Sequence, residues 1–338
     1  MPSAPRQARR PKAKLFPVVK ADAYGLGAEA VVATLRAEGC DSYYVSYLSE
    51  AQALAEASGD AVFYALNAGP GSGPYTERHR PVFHRLEDLN GWSGGPCGLQ
   101  VDIGMNRLGE RAAALEGLAP RPDVKLFVAH MSDAGDPSSP RNAEQRAHYR
   151  KLEATYRTLF PNAAFGISAT GGLLLDGDVD EDVVRPGMGL FGGKAGKLGP
   201  LEMVARFEAR VLSVFDVPEG EHVGYGGKWT AQRPSRCATL SVGYADGYPR
   251  SLSNVGLVFL GDALCPVAGA VSMDLMTVDV TEAGEVEAGD WAELYGDHQS
   301  LDQVADKAGL IGYELLTMVR GRTVRLYEDS EKNRSTSS

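Results

Sequence analysis

The sequence predicts an N-terminal parallel β/α barrel followed by a mainly antiparallel β domain. Two observations carry the first half. Eight short apolar or aromatic runs recur between Leu15 and Gly193, and Ala/Leu/Glu/Arg-rich segments with the spacing of amphipathic helices lie between most of them. Eight strands alternating with helices is the count of a closed β/α barrel, although an open doubly wound sheet has the same alternation. The second half rests on a change of texture near residue 203, beyond which β-branched runs follow one another with turns and few helices.

Residues 1–14 are polar, basic and proline-containing, the composition of a frayed start or of part of a helix. The barrel strands are then LFPVVK, DSYYVSYL, AVFYALN, RPVFHRL, GLQVDIG, KLFVAHM, AAFGIS and DVVRPGMGLFG, with helices expected over 29–38, 48–57 and 142–160. Pro17 stands in the first run as a proline does in an edge strand. The barrel domain is expected to occupy residues 1–202 and the β domain 203–328. In the latter, ARFEARVLSVFDV, CATLSVGYADG, GLVFLGDALCPVAG, MDLMTVDVT and DWAELYG read as antiparallel strands, and helices are expected over 301–308 and 313–319. Residues 329–338, DSEKNRSTSS, are too polar to pack and read as a disordered tail.

Composition excludes several classes of function. The 338 residues are long for one domain, and 43% hydrophobic content supplies sizeable cores. A net charge of −10 argues against sequence-independent binding to nucleic acid, while leaving room for a local basic pocket that takes one small anion. Cys40, Cys97, Cys237 and Cys265 are scattered, with no CxxC pair and no histidine grouping at ligand spacing, so no disulfide framework and no metal site are expected. Reduced thiols, the absence of an apolar run near the ~18 residues of a membrane span, and an N-terminus without a secretory core together predict a cytoplasmic protein with no membrane partner.

The chemistry centres on LFPVVKADAYGLGA. Lys20 falls where the first apolar run ends, and in a parallel α/β protein the carboxyl ends of strands face the loops that carry chemistry. A lysine there is placed to act as nucleophile or base, with Asp22, Tyr24 and the Gly25/Gly27 pair close behind. Lysine chemistry of this kind usually means a Schiff base to a carbonyl, and pyridoxal phosphate is the commonest carbonyl cofactor so held. An ordinary solvated lysine has the same local sequence. Polar residues nevertheless collect at the ends of several successive strands: Asn106 and Arg107, His130, then Ser168 and Thr170 with Gly171 and Gly172, and Arg185 ahead of four glycines. Glycine-rich turns free backbone N–H groups for an anion, and arginine adds a fixed fork of donors. The second domain offers Tyr225, Tyr244, Asp246 and Tyr248 among glycines, then Ser272, Met273, Asp274 and Tyr313. A tyrosine moves a proton when positive charge lowers its pKa from ~10, though most tyrosines only pack.

Taken together and in this order, these motifs resemble those of the alanine racemases, from about Leu15 to about Arg325. The resemblance implies a pyridoxal 5'-phosphate enzyme that interconverts L- and D-alanine for peptidoglycan, with a barrel followed by a β-rich domain. It implies that Lys20, in VVKADAYG, forms the Schiff base and that Tyr24 lies near the cofactor phosphate. Arg185, in RPG, becomes the partner of the pyridine nitrogen, with Gly187 and Met188 beside the phosphate. Ser168 is implied as a phosphate donor, Tyr313 as a phosphate ligand from the second domain, and His130 as packing by the pyridine ring. Arg107, in DIGMNRLG, is matched to the arginine that engages the cofactor oxygen and the substrate carboxylate. Tyr244, Met273 and Asp274 fall in the substrate-pocket segments. The resemblance further implies that Lys20 serves the D-face proton and Tyr225 the L-face proton, the tyrosine coming from the second subunit of a homodimer. A broader amino-acid or serine racemase, a non-catalytic pyridoxal-phosphate protein and a decarboxylase of the same architecture are the rival readings. The last needs an acidic partner at the pyridine nitrogen, where this chain has Arg185.

The chain also departs from the pattern. Only 19 residues precede Lys20, where many members carry a further strand that joins the second domain, and a helix. An edge left open, lower stability and a late start codon are the alternatives this raises. Gln100 stands where some members have a carbamylated lysine, so no carbamate is expected, and its neutral amide oxygen is able to accept a hydrogen bond from Arg107 instead. Ile167 replaces the first residue of a usual Asn-Ser pair, and Ser272 replaces a frequent cysteine.

Overall fold

In a computed structural model, residues 12–69, 71–176, 180–198, 201–319 and 321–328 are described. The chain divides into two compact units, one of residues 1–190, 194–200 and 327–338, the other of 191–193 and 201–326. The first eleven residues and the tail from 329 lie outside the described residues.

In the first unit, strands β2 (Ser42–Val45), β3 (Val62–Ala65), β4 (His79–Phe83), β5 (Cys97–Gln100), β6 (Val124–Val128) and β7 (Ala164–Gly166) form one parallel sheet in sequence order. Two short strands, β1 (Lys14–Leu15) and β8 (Val183–Val184), pair with each other in parallel. Backbone hydrogen bonds then close the circle. On one side, β8 meets β7 through Asp182 N–H to Phe165 O at 2.9 Å and Arg185 N–H to Ser168 O at 2.9 Å. On the other, the run after β1 meets β2 through Tyr44 N–H to Pro17 O at 2.8 Å and Val19 N–H to Tyr44 O at 2.9 Å. The open doubly wound alternative is thereby overturned, and all eight predicted runs supply a stave.

The reading of Pro17 as an edge residue is corrected as well. Its strand is bonded on both sides, since Lys14, Phe16 and Val18 donate to Asp182, Val184 and Pro186 of the β8 segment. Proline is tolerated because only its carbonyl is used across the seam to β2. Lys14 is already part of β1, so order begins ahead of Leu15.

Two clusters of buried side chains follow from the period-2 alternation of these strands. Phe16, Tyr44, Tyr64, Val82, Leu126, Val128 and Val183 come from strands only and fill the lumen. Phe127, Ala129, Phe165 and Ile167 point the other way and pack with Tyr149, Leu152 and Tyr156 of the helix Arg141–Tyr156. Helices Ala28–Ala37 and Leu48–Ala53 complete the predicted set, the second ending four residues early.

The second unit is organised on six antiparallel strands in the order β14 (Ala263–Pro266), β13 (Leu257–Leu260), β16 (Trp291–Tyr295), β9 (Phe207–Val217), β12 (Ser235–Leu240), β15 (Met276–Asp279). The end strands of this order meet each other, through a bridge between Val267 and Val278 and Ala268 N–H to Thr277 O at 2.8 Å. Neither end of this sheet is left as an open edge. Helices Leu301–Ala308 and Gly312–Thr317 follow, the first stopped by Gly309 at φ 71°.

Candidate active site

Lys20 opens a backbone feature that periodicity cannot foretell. Ala21, Asp22, Ala23 and Tyr24 all adopt left-handed helical angles, with φ of 53°, 54°, 53° and 59°. Left-handed geometry costs an L-residue about 1–2 kcal/mol, so a run of four persists only where its surroundings enforce it. Here the turn is tied down at both ends. Ala21 N–H donates to Glu50 Oε1 at 2.8 Å, Ala23 N–H to Val19 O at 2.9 Å and Gly27 N–H to Asp22 O at 3.0 Å, while Asp22 Oδ1 accepts from Ala28 N–H at 2.8 Å. The turn sets Lys20 at its start and buries Tyr24 at its end, one hydroxyl away from Gly187. A Cβ at Gly187 would lie 2.4 Å from Tyr24 Oη, so only glycine fits there.

This strain yields a test. Ala21 is exposed, so Ala21→Gly relieves its left-handed cost without leaving a cavity, against ~0.4–1 kcal/mol of added unfolded-state entropy. The substitution is expected to stabilise the chain by up to ~1 kcal/mol, read from the urea midpoint, whereas a proline at this position is expected to prevent the turn.

Four cationic or basic groups gather at the carboxyl ends of β1, β5, β6 and β8. The Lys20 amine is held below the ordinary lysine value, first by burial and then by the Arg107 charge, with Glu50 opposing. His130 is pushed down to about 3 by burial, then by Arg185, Arg107 and Lys20, so its imidazole is neutral at physiological pH. Arg185 is 5% exposed. Its Nη2 donates to Ala129 O and, at 3.4 Å, to Ile167 O, while its Nε is buried without a partner. Its guanidinium carbon lies 5.5 Å from the ring centre of Tyr44.

Arg107 is exposed and is presented by a loop wound round Asp102. Asp102 Oδ1 accepts N–H bonds from Gly104, Met105 and Asn106 at 3.0, 3.0 and 3.1 Å, and its other oxygen pairs with Arg111 at 3.3 Å. Gln100 does not reach Arg107. Its Nε2 donates to Leu108 O at 3.0 Å, which steadies the same loop from the backbone side and corrects the expected side-chain contact.

The neutral His130 makes a pH prediction. Between pH 3 and about 6.5 the unfolded chain binds a proton here that the native chain does not, so stability falls as pH drops through that window. His79 and His84 are lowered by burial too, so the diagnostic is a difference. His130→Phe is expected to flatten the acid limb of stability against pH, measured by urea unfolding at pH 4 to 7.

Ser168 and Thr170 both make internal hydrogen bonds at the end of β7. The Ser168 hydroxyl donates to Glu181 Oε1 at 2.5 Å, and Glu181 Oε2 takes the Ile167 and Ser168 N–H groups at 2.8 and 2.7 Å. Thr170 Oγ1 accepts from Gly187 N–H at 3.0 Å and Gly189 N–H at 3.2 Å. Met188 is buried and begins the short turn Met188–Leu190.

In the second unit, Tyr225 stands 79% exposed on a turn whose glycines 224, 226 and 227 all have positive φ. Tyr244 and Met273 are exposed, and their loops are laced together by Tyr244 N–H to Ser272 O and Ala245 N–H to Met273 O, both at 3.0 Å. Gly243 has no room for a Cβ, which would sit 2.3 Å from the Ser272 and Met273 carbonyls. Arg322 clamps both loops, with Nε 2.6 Å from Asp246 Oδ1 and Nη2 2.8 Å from Asp274 Oδ1. Tyr313 lies in the first turn of its helix, its hydroxyl pKa raised by burial and then by Asp302. Tyr248 is a packing residue, fully buried with a raised pKa.

Glu50, Asp102, Glu181 and Arg322 were not among the residues singled out in the sequence. Glu50 had a signal, being at the third position of its helix, where a carboxylate closes a capping box. Asp102 had one in the Asp-to-Gly spacing of a side-chain-stabilised turn. Glu181 and Arg322 had none, since their partners are 13 and 76 residues away.

A lysine of lowered pKa, a neutral imidazole and a buried arginine, all at the carboxyl ends of the strands of a parallel barrel, define a lysine-centred barrel enzyme. The family model for the alanine racemase N-terminal domain matches residues 4–195, and that for the alanine racemase C-terminal domain matches 204–327. The chain belongs to the alanine racemase family. It is 40% identical over 332 residues to an alanine racemase of Methylobacterium sp. (strain 4-46), across 92% of this chain and 90% of that one. A catabolic alanine racemase of Agrobacterium fabrum is 36% identical, across 94% and 86%. Among solved structures, alanine racemase from Bartonella henselae, with covalently bound pyridoxal phosphate, superposes with a TM-score of 0.86 at 31% identity, covering 96% of this chain and 95% of that one.

Among the described residues no helix is long and apolar enough to cross a membrane, and no group of His, Cys, Asp and Glu is placed to hold a metal. Cys40, Cys97, Cys237 and Cys265 are buried and free.

Proposed function

We propose that the protein interconverts L- and D-alanine, with pyridoxal 5'-phosphate held on Lys20, in a cytoplasmic homodimer that supplies D-alanine for peptidoglycan. The observation that carries this reading is the buried Nε–H of Arg185, which lacks an acceptor among the described residues. A neutral pyridine nitrogen is such an acceptor, and an arginine there does not give up its proton. The residues present therefore fit the cofactor. Lys20 would hold its aldehyde carbon, the neutral His130 would pack by its ring, and Tyr24 with the turn at Gly187 and Met188 would lie by its phosphate.

When bound, the cofactor supplies an electron sink that makes the α-proton of an attached amino acid acidic. The residues do the rest. Arg107 binds the substrate carboxylate by charge, and its loop is kept in shape by Asp102. Lys20, with its pKa lowered, takes or returns the α-proton on one face. Tyr225 of the partner subunit does so on the other face, which its exposure allows. Tyr244, Met273 and Asp274 form the substrate side, Tyr313 is a further phosphate ligand, and Arg322 fixes the loops that carry Asp246 and Asp274.

The test is incubation of the purified protein with L-alanine in deuterated water, followed by chiral analysis. D-alanine carrying deuterium at the α-carbon is expected. Solvent exchange without D-alanine, or no exchange, sinks the proposal; serine racemised as fast as alanine moves it to a broader specificity.

A further inference from the structure

We infer that Glu50 is a positioning residue for the reaction at Lys20, its carboxylate fixing the peptide that follows the lysine to the end of β2. The inference rests on the reading of Lys20 as attachment point and proton carrier and deepens it, since it names what holds that lysine in place.

Lys20 stands between two anchors. On one side Val19 N–H donates to Tyr44 O at 2.9 Å. On the other Ala21 N–H donates to Glu50 Oε1 at 2.8 Å, across 29 residues of sequence. The second carboxylate oxygen takes Ser46 N–H at 2.6 Å and Tyr47 N–H at 3.1 Å, where β2 passes into the helix Leu48–Ala53. Three backbone donors from two separate segments thus converge on one side chain, and both anchors of Lys20 lead to the same strand. The first N–H groups of a helical turn have no partner within it. Glu50 therefore caps the left-handed turn at 21–24 as well as the helix it belongs to. Without it the turn keeps its internal bonds, Ala23 N–H to Val19 O and Gly25 N–H to Ala21 O, both at 2.9 Å, but loses its tie to β2 at the residue beside the lysine. Left-handed geometry is costly for L-residues, so an untied end relaxes and the Lys20 side chain starts from a different place. A proton carrier works only within hydrogen-bond reach of its proton.

The same carboxylate balances the charge. The groups that act on the Lys20 amine or respond to it are Glu50 from its helix, Arg107 from the loop after β5 and His130 from the end of β6. Asp22, next along the chain, is turned to the Ala28 N–H. Arg107 favours the free base and the neutral His130 adds no charge, so Glu50 is the anion that favours the ammonium. The lysine needs both forms, the free base to take a proton and the ammonium to return it.

Reach and charge are separable by substitution. Glutamine has one acceptor oxygen and no charge, so it cannot serve both anchors. Aspartate keeps the charge and both acceptors but is one methylene short.

Full-length wild type, Glu50→Gln and Glu50→Asp are compared by uptake of pyridoxal phosphate across pH and by alanine racemisation at the top of each pH profile. Glu50→Gln is expected to move the uptake midpoint to lower pH, opposite in sign to removal of the Arg107 charge, and to lower kcat about ten- to a hundredfold with KM within about threefold. Glu50→Asp is expected to share the loss of kcat while its midpoint stays nearer that of the wild type. A wild-type kcat in either variant overturns the inference. So does a loss of kcat in Glu50→Gln with the midpoint unmoved, which is what a helix cap alone would give. The Glu50→Asp arm keeps the test decisive if Glu50→Gln does not fold, because it varies reach with the charge retained. A wild-type chain that takes up no pyridoxal phosphate overturns the underlying reading and this one with it, whereas an active wild type matched by both variants overturns this one alone.

Discussion

Lys20→Ala is expected to remove both the visible cofactor band and racemisation, with a loss of more than ~10⁴ in rate, because the proposed mechanism uses one side chain as attachment point and as proton carrier. Its amine is suited to both tasks. Burial lowers its pKa, Arg107 lowers it further and Glu50 only partly opposes them, so the reactive free base is present at lower pH than for a solvated lysine. The pH dependence has a definite sign. Uptake of pyridoxal phosphate should rise through a midpoint below 10.5, and Arg107→Ala should move that midpoint upward by taking away a positive neighbour. Stopped-flow spectra across pH measure both. A midpoint that moves downward in Arg107→Ala contradicts the electrostatic account, and a Lys20→Ala protein that still racemises alanine contradicts the assignment of the lysine.

The second large effect is expected at Tyr225. Tyr225→Phe should lower racemisation by ~10²–10⁴, the usual worth of one positioned acid or base, while leaving the cofactor band in place. The loss should be lopsided. Exchange of the α-proton of D-alanine with solvent, the task given to Lys20, should survive, and that of L-alanine should fall with the overall rate. Proton NMR in deuterated water reads the two exchanges separately. Equal losses for the two enantiomers would mean that Tyr225 holds the substrate and does not move its proton. Since the tyrosine is given to the partner subunit, activity per chain should also fall on dilution through the dimer dissociation constant. Activity that is independent of dilution in a protein shown to be monomeric would remove Tyr225 from the mechanism.

Much of the molecule was legible in the sequence. The period of the apolar runs counted the staves of the barrel, and a packed parallel strand needs little beyond a short apolar run on a chain of the right length. The change from strand–helix alternation to consecutive strands marked the second architecture. Lys20, Arg107, His130 and Arg185 could be singled out because each follows a strand, and strand ends in such a fold share one face. Other features were not readable. Four successive left-handed residues at 21–24 violate the local preferences of Ala, Asp and Tyr and are held by Glu50 and by the Ala28 N–H. Pro17 looked like an edge residue, since a proline in a run carries no mark of which neighbours it will meet. Gln100 turned to a backbone carbonyl, a choice between two acceptors that only loop geometry makes.

By itself, then, the amino-acid sequence determined which residues are apolar at which period, and through that the two kinds of sheet and the end of the barrel where chemistry can collect. Tertiary structure alone decided closure at β1 and β8, the commitment of Ser168 to Glu181 and the clamp of Arg322 on two aspartates. The physical reason is range. Hydrophobic period and turn chemistry act over a few residues and are written locally, whereas hydrogen bonds and ion pairs join groups that the chain brings together only after it has folded, 13 residues apart for Ser168 and Glu181 and 76 for Asp246 and Arg322.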